Sequence, residues 1–370
     1  MKLLPRSLTI SLERNESHSY EIIIGHDFQP HVVDDIFASG FGSFYAVVCD
    51  RTTASLVGEG LVHQLRLAGS DGGLITVDCG EASKTLAVLE KVLEGFLRFG
   101  MDRSACVVAA GGGVVGDLAG FAAGCFMRGV NYIQMPTTLL AQVDSSIGGK
   151  VAVNIPRGKN YCGLFLQPRR VYIDTAHLLT LSDFQFVDGL AEVVKYAVID
   201  MHGLSDFLLK NCRKILERES SVLIDVVEEC CRIKARIVEA DEKEHGKRII
   251  LNYGHTFGHA LEVFSGYRMS HGTAVAYGLR AASRTARAMG FLNESEFNRH
   301  EALLDAFGLA KAPLEVDPEK IMSLMNADKK WTKGKPRYVL PRGIGEVFVA
   351  TDIPKSILMD VLQVYKRGFQ

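Results

Sequence analysis

Along the first half of the chain, apolar residues gather into short runs separated by glycine-rich turns. Six of these runs, Tyr20–Ile24, Tyr45–Val48, Leu74–Val77, Cys106–Ala109, Asn131–Gln134 and Arg170–Ile173, are brief and mostly apolar, and several are rich in Val and Ile. Such runs predict strands covered on both faces. Between two of them, Ser83–Phe99 sets Leu86, Leu89, Leu93, Phe96 and Leu97 at helical spacing. Strands interleaved with a helix of this kind predict an α/β layer with a largely parallel sheet. After about residue 176 the pattern changes to long helical periods: Leu204–Glu217, Val222–Ala240, Thr256–Phe264, Gly272–Arg287, Glu294–Phe307 and Pro354–Arg367. Strand-like material there is limited to Arg337–Leu340 and Val347–Ala350. The expectation is a two-domain chain: an α/β domain over 1–178 and a mainly helical domain over 179–370, joined near Leu179–Asp183.

Length agrees, since 370 residues at roughly 150 per domain suggests two. With 47% hydrophobic residues the chain can build sizeable cores. Forty-two Lys and Arg against 43 Asp and Glu leave a net charge of -1, which argues against a general nucleic-acid binder. The eight cysteines include no C-x-x-C pair, and several sit in apolar company, as Cys106 does, which suggests buried thiols in a reducing compartment. No apolar stretch approaches the length of a membrane span, and the first residues carry no secretory apolar core. A soluble, cytoplasmic protein is expected.

Candidate chemistry concentrates in a few segments. Gly111-Gly112-Gly113-Val114-Val115-Gly116-Asp117 follows a predicted strand and leads into a helix of small residues. Consecutive glycines let backbone amides approach a phosphate, and a helix N-terminus favours an anion; tight helix-on-sheet packing would use the same residues. Asp50, just past a predicted strand, is placed to accept from a ribose diol. A second small-residue block runs from Pro136-Thr137-Thr138 through Asp144-Ser145-Ser146-Ile147-Gly148-Gly149-Lys150, with Lys159-Asn160 nine residues on.

Glu192 lies in the apolar helical segment Gly189–Lys195, three residues from Lys195. A covered carboxylate needs a partner, and either an ion pair with Lys195 or a metal would serve. His255 and His259 are four apart and His271 follows a turn-like stretch. Two histidines with a distant glutamate make a plausible catalytic zinc set, although structural histidines produce the same spacing. Arg128, Lys150, Lys159, Lys195, Lys234, Arg248 and Lys329-Lys330 recur near these blocks. As a set they point to a small polyanion.

The run GGGVVGDLAGFAAGCFMRG, followed by PTTLLAQVDSSIGGK, GKN, GLAEVVKY, DEKE, NYGHTFGHALE, HG and DKK, resembles the 3-dehydroquinate synthases of the sugar-phosphate cyclase family. The likeness spans about residues 45 to 345. It implies an NAD-binding α/β domain, a mostly helical metal- and substrate-binding domain, and an active site in the cleft between them. The metal, zinc or cobalt, would be held by Glu192, His255 and His271, with His259 contacting substrate. Asp144, Lys150, Asn160, Lys195, Lys234, Arg248 and Asn252 match residues that bind the reacting ring or its phosphate. Lys330, or Lys329 in the neighbouring register, resembles a family lysine near the C-terminal end. Arg128 resembles an arginine supplied across a homodimer interface. Asp50, Glu81, Lys84, Gly113, Gly116, Asp117, Thr137 and Thr138 match cofactor-side positions, and Asp144, Lys150 and Lys159 fall on both sides. The implied substrate is 3-deoxy-arabino-heptulosonate 7-phosphate, a phosphorylated seven-carbon sugar acid, converted to 3-dehydroquinate and phosphate with NAD reduced and then regenerated. Related cyclases making inosose or valiolone rings, and metal- and NAD-dependent alcohol dehydrogenases, are the alternatives.

Two departures stand out. Family members commonly read His-Gly-Glu where this chain has His271-Gly272-Thr273, and a histidine is replaced by Ile155 in Val151–Pro156. Loss of the glutamate would weaken the metal site or rearrange the groups around it.

Overall fold

The computed structural model describes residues 19–200, 203–326 and 337–367. Six strands form one sheet in the order β1-β8-β5-β4-β2-β3, every neighbouring pair parallel. They are β1 (Glu21–Gly25), β2 (Phe44–Asp50), β3 (Asp71–Val77), β4 (Cys106–Gly111), β5 (Asn131–Pro136) and β8 (Arg170–Asp174). These are the six predicted runs, the first shifted by one residue and the other five extended by one to three residues at one or both ends. Alternation along β4 explains why its run is continuously apolar. Val107 and Ala109 enter one core with Phe96 and Leu118, while Val108 and Ala110 enter another with Ile36 and Leu61.

Helices α1 (Gln29–Ser39), the single turn α2 (Arg51–Thr53) and α3 (Glu59–Leu67) accompany one face of the sheet, and α4 (Leu86–Arg98) and α5 (Gly113–Cys125) the other. The block 136–160 holds an element that the apolar pattern does not predict. It is an antiparallel hairpin of β6 (Lys150–Ile155) and β7 (Gly158–Phe165). The face carrying Val151, Val153, Cys162 and Leu164 joins the core, and it is completed by α5. A Cβ on Gly120 would stand 2.5 Å from Val151, and one on Gly124 would stand 2.7 Å from Leu164.

From Asp183 onward the described chain is mainly helical: α6 (Asp183–Ile199), α7 (Leu204–Leu216), α8 (Ser220–Ala240), α9 (His255–Phe264), α10 (His271–Ala288), α11 (Glu294–Ala306), α12 (Pro318–Asn326) and α13 (Lys355–Arg367). Strands β9 (Tyr338–Gly343) and β10 (Glu346–Ala350) pair antiparallel against this bundle. The first helix, α6, begins with a capping box between Ser182 and Gln185. Its apolar residues share a continuous core with Val171 and Ile173 of β8. That packing brings the helical half over the sheet near the C-terminal ends of its strands, where ligands bind in open α/β sheets. Among the described residues no helix is long and apolar enough to cross a membrane.

Candidate active site and metal centre

Three helices converge on Glu192. It projects from the middle of α6 and is fully buried. Its Oε1 lies 3.4 Å from Nε2 of His255, at the start of α9, and 3.2 Å from Nε2 of His271, at the start of α10. One ligand atom from each of the three residues falls within 4.8 Å of the others. A tetrahedral ion with bonds of about 2.1 Å would hold its ligands about 3.4 Å apart, so the spacing fits a zinc-sized cation. The rings are oriented for it. His255 Nδ1 donates to the Tyr253 carbonyl at 3.0 Å, which leaves Nε2 with its lone pair toward Glu192. His271 Nδ1 faces Glu262 Oε2 at 3.6 Å.

Electrostatics matches this geometry at Glu192 and His255. Burial would raise the Glu192 carboxyl, but Lys195 and His255 hold it well below the usual range. Burial lowers His255 despite Glu192, favouring the neutral ring that a metal needs. His271 behaves differently: burial lowers it, yet Glu192 and Glu262 push it up to about 10. Lys195 pairs with Glu192 through the carboxylate's other oxygen, Oε2. The ion pair and the histidine cluster therefore coexist, where the sequence offered them as alternatives. His259 stands beside the cluster, its ring 5.3 Å from that of His255 and 6.4 Å from that of His271.

A cationic wall adjoins this centre. Asp144 receives Lys234 Nζ at 2.8 Å, Lys195 Nζ at 3.4 Å and the Tyr196 hydroxyl. Lys195 and Lys234 are both almost fully buried, and Asp144 is held well below the carboxylate range because these lysines outweigh its burial. Burial and the neighbouring Lys195 lower Lys234 in spite of Asp144. Arg248, also buried, donates to the Gly148 carbonyl at 3.0 Å. Glu244 joins Lys150 to Asn252, whose Nδ2 donates at 3.0 Å.

On the sheet side, Lys84 pairs with Asp117 and donates to Asn160 Oδ1 at 2.6 Å. Burial raises the Asp117 carboxyl despite Lys84. Asn154 ties this group to Glu81 at 2.7 Å and accepts from the Asn160 amide at 2.9 Å. Lys159 reaches both ways, to Glu262 at 2.9 Å and Glu81 at 3.8 Å. Gly112 begins α5 with no side-chain cap. A Cβ there would stand 3.2 Å from Thr138, and one on Gly113 would stand 2.9 Å from Ser145 Oγ. An uncapped helix end lined by glycines beside Thr138 is a cradle that fits a dinucleotide's phosphates. Thr137 is buried next to it, its amide bonded to the Gly111 carbonyl. Gly116 contributes packing, since a Cβ would meet Gln134 Oε1 at 2.7 Å. Asp50 ends β2 and accepts from the Thr53 amide at 2.8 Å as a helix cap.

One predicted residue, Arg128, has no place in this network among the described residues. Arg128 is exposed in the turn Phe126–Arg128, after the C-terminal end of α5. Lys330 and Lys329 lie outside the described residues. In the other direction, Glu262, Tyr196, Glu244, Asn154 and Asp188 belong to the site's polar network and were not predicted. Glu262 carried a signal, falling three residues after His259 and so on the same helix face.

Comparison with known proteins decides the family. A model described as 3-dehydroquinate synthase N-terminal matches residues 74–188, and one described as 3-dehydroquinate synthase C-terminal matches residues 189–331. A 3-dehydroquinate synthase of Pelobacter propionicus is 43% identical over 352 residues, covering 95% of this chain and 97% of the relative. The chain belongs to the 3-dehydroquinate synthase family. Among solved structures, the valiolone synthase ValA of Streptomyces hygroscopicus, with NAD+ and Zn2+ bound, superposes with a TM-score of 0.88 at 26% identity, covering 96% of this chain and 99% of that one. A 2-deoxy-scyllo-inosose synthase complexed with carbaglucose-6-phosphate, NAD+ and Co2+ gives 0.84 at 27%, covering 94% and 96%. The fold is thus that of a sugar-phosphate cyclase, and Thr273 does not disturb it. The Thr273 amide and hydroxyl both bond to Asp188 of α6.

Proposed function

We propose that the chain is a 3-dehydroquinate synthase, converting 3-deoxy-arabino-heptulosonate 7-phosphate to 3-dehydroquinate and inorganic phosphate. The observation that carries this reading is the meeting of Glu192, His255 and His271 beside a buried cationic wall, in a chain 43% identical to a relative of that name. When bound, NAD would supply a hydride acceptor and donor for C5 of the substrate, and a divalent metal, zinc or cobalt, would supply a Lewis acid for the oxygen there.

The chain's own residues do the rest. Glu192, His255 and His271 would hold the metal, and the glycine cradle with Asp50, Glu81, Lys84, Asp117, Thr137 and Thr138 would hold the dinucleotide. Lys150, Lys195, Lys234, Arg248, Asn160 and Asn252 would bind the carboxylate, hydroxyls and phosphate, restricting the substrate to its productive shape. Lys150 and Lys159, paired with Glu244 and Glu262 in the free chain, would exchange those partners for the substrate's anionic groups. His259, next to the triad without belonging to it, would meet the substrate. Lys330 is retained as a substrate contact on the strength of the resemblance. Because oxidation and re-reduction balance, phosphate loss, ring opening and aldol closure proceed with no net redox change.

Arg128 enters from a second copy in this account. Helix α5 starts at the cofactor end of β4 and runs 13 residues, roughly 20 Å, away from it before Arg128 is reached. Arg128 therefore lies far from the cofactor end of its own α5, and a homodimer delivering it across the interface is the reading that gives it a role. We divide the chain into domains at 178/179. We place it in the cytoplasm, in keeping with eight cysteines that are all free.

Incubating the purified protein with the seven-carbon sugar acid phosphate and, separately, with other sugar phosphates tests the assignment. Phosphate release with 3-dehydroquinate as product from the first substrate supports it. An inosose or valiolone ring from another sugar phosphate would reassign the chain to a sister activity.

A further inference from the structure

Helix α10, which presents His271, lacks a cap of its own. Its N-cap residue is Ser270, whose hydroxyl accepts from no first-turn amide and bonds instead to Asp188 and the Thr273 hydroxyl. Asp188 supplies what is missing. Its Oδ1 accepts from the Thr273 amide at 2.7 Å and the Thr273 hydroxyl at 3.1 Å, and its Oδ2 accepts from the Gly272 amide at 3.1 Å. A carboxylate at this point meets both the unsatisfied amides and the positive end of the helix. Asp188 sits one turn before Glu192 on α6, about 6 Å along the axis. The two helices touch backbone to backbone at this spot: a Cβ on Gly272 would lie 1.8 Å from the Asp188 carbonyl oxygen. The same helix thus grips the start of α10 with one carboxylate and faces His271 with the next.

We propose that Asp188 is a positioning residue for the metal centre, a cap supplied in trans from α6 that sets where His271 stands relative to Glu192. The inference rests on reading Glu192, His255 and His271 as the metal site. It also explains how a chain with Thr273 at the third position of α10 keeps that helix anchored. A capping box would place Glu there, opposite Ser270; here the carboxylate arrives from the neighbouring helix.

The test is zinc affinity, measured by competition with a chromophoric chelator on the full chain, alongside thermal unfolding of the metal-free protein and NAD binding. Asp188→Ala is expected to weaken zinc binding about 10- to 100-fold, the usual range for groups that orient a ligand, with NAD affinity unchanged. Asp188→Asn, which keeps the side chain's size and one acceptor, should fall between wild type and Asp188→Ala, and it serves if the alanine variant does not fold. Adding Thr273→Glu to Asp188→Ala rebuilds the capping box on α10 and should recover zinc affinity. A lower unfolding temperature with an unaltered zinc dissociation constant would make Asp188 merely structural and overturn the proposal. Failure of Thr273→Glu to recover any affinity would overturn capping as its mechanism. A wild-type chain that binds no zinc would instead defeat the metal site itself, a result distinct from either.

Discussion

Glu262 stands behind His271, on the far side of the ring from Glu192. Its Oε2 lies 3.6 Å from Nδ1, while Nε2 of the same ring is 3.2 Å from Glu192 Oε1. A carboxylate in that position fixes the tautomer and orientation of a ligand histidine and raises its basicity. Glu262 is itself pinned by Lys159 of the β6–β7 hairpin, so one buried carboxylate joins the cofactor side to the metal side. Burial would raise its pKa, but His271 and Lys159 hold it well below the carboxylate range. Glu262→Gln keeps the shape and removes the charge. It is expected to weaken zinc binding roughly 10-fold or more, read by chelator competition; an unchanged dissociation constant would remove Glu262 from the centre.

Asp144 is the counter-ion for two buried lysines, and its loss should be felt in the fold before the chemistry. Asp144→Asn would leave Lys195 with Glu192 as its only charged partner and Lys234 with the residue-144 carbonyl but no counter-ion. Breaking a buried pair from one side costs about 3–5 kcal/mol. Because 22% of the Asp144 side chain stays accessible, the lower end, about 3 kcal/mol, is expected. Urea denaturation of the metal-free protein measures it, and a loss below about 1 kcal/mol would show that solvent already screens these charges.

Gly272→Ala tests the contact between α6 and α10. The added methyl would meet the Asp188 backbone at 1.8 Å, and neither helix can rotate a side chain out of the way. Overpacking of this kind costs about 1–3 kcal/mol and more when backbone must move. A drop in stability of at least about 3 kcal/mol is predicted, with a parallel loss of zinc affinity. A variant as stable as wild type would mean the helices are free to separate there.

The loop that carries Glu242, Glu244 and Arg248 is tied by Asp241, which accepts from the amides of His245 at 2.8 Å, Gly246 at 2.7 Å and Arg248 at 3.0 Å. These bonds, with Arg248's amide the largest contributor, hold the Asp241 carboxyl down to about 2. A depressed carboxyl adds stability above its unfolded pKa of about 3.9 and loses it as pH falls through the folded value. The stability difference between wild type and Asp241→Asn should therefore be constant at neutral pH and shrink between about pH 4 and pH 2. A difference independent of pH across that window would show the loop is held by something other than the ionised carboxylate. In the assay, Asp241→Asn should raise KM more than it lowers kcat, since the loop it ties carries Arg248.

How far the sequence alone reached follows from what each signal depends on. The six strands of the sheet were legible because a strand buried on both faces must be an apolar run, whatever surrounds it. The convergence of Glu192 with His255 and His271 was legible from residue type and from the resemblance, although only the fold brings α6 against α9 and α10. The β6–β7 hairpin was not, because its core face is completed by Gly120 and Gly124 on α5, and nothing local announces that. Asp188 was missed for a similar reason: it is an ordinary acidic residue until a helix about 80 residues away is packed against it, whereas Glu262 was marked only by its spacing from His259.

The central claim is that one site oxidises and re-reduces the same carbon while phosphate leaves. Substrate carrying deuterium at C5, turned over with catalytic NAD and zinc, tests it most directly. The account predicts one phosphate released per 3-dehydroquinate formed, deuterium retained in the product, and no build-up of NADH. Stoichiometric NADH, or phosphate release at the same rate after both NAD and metal have been stripped, would contradict it.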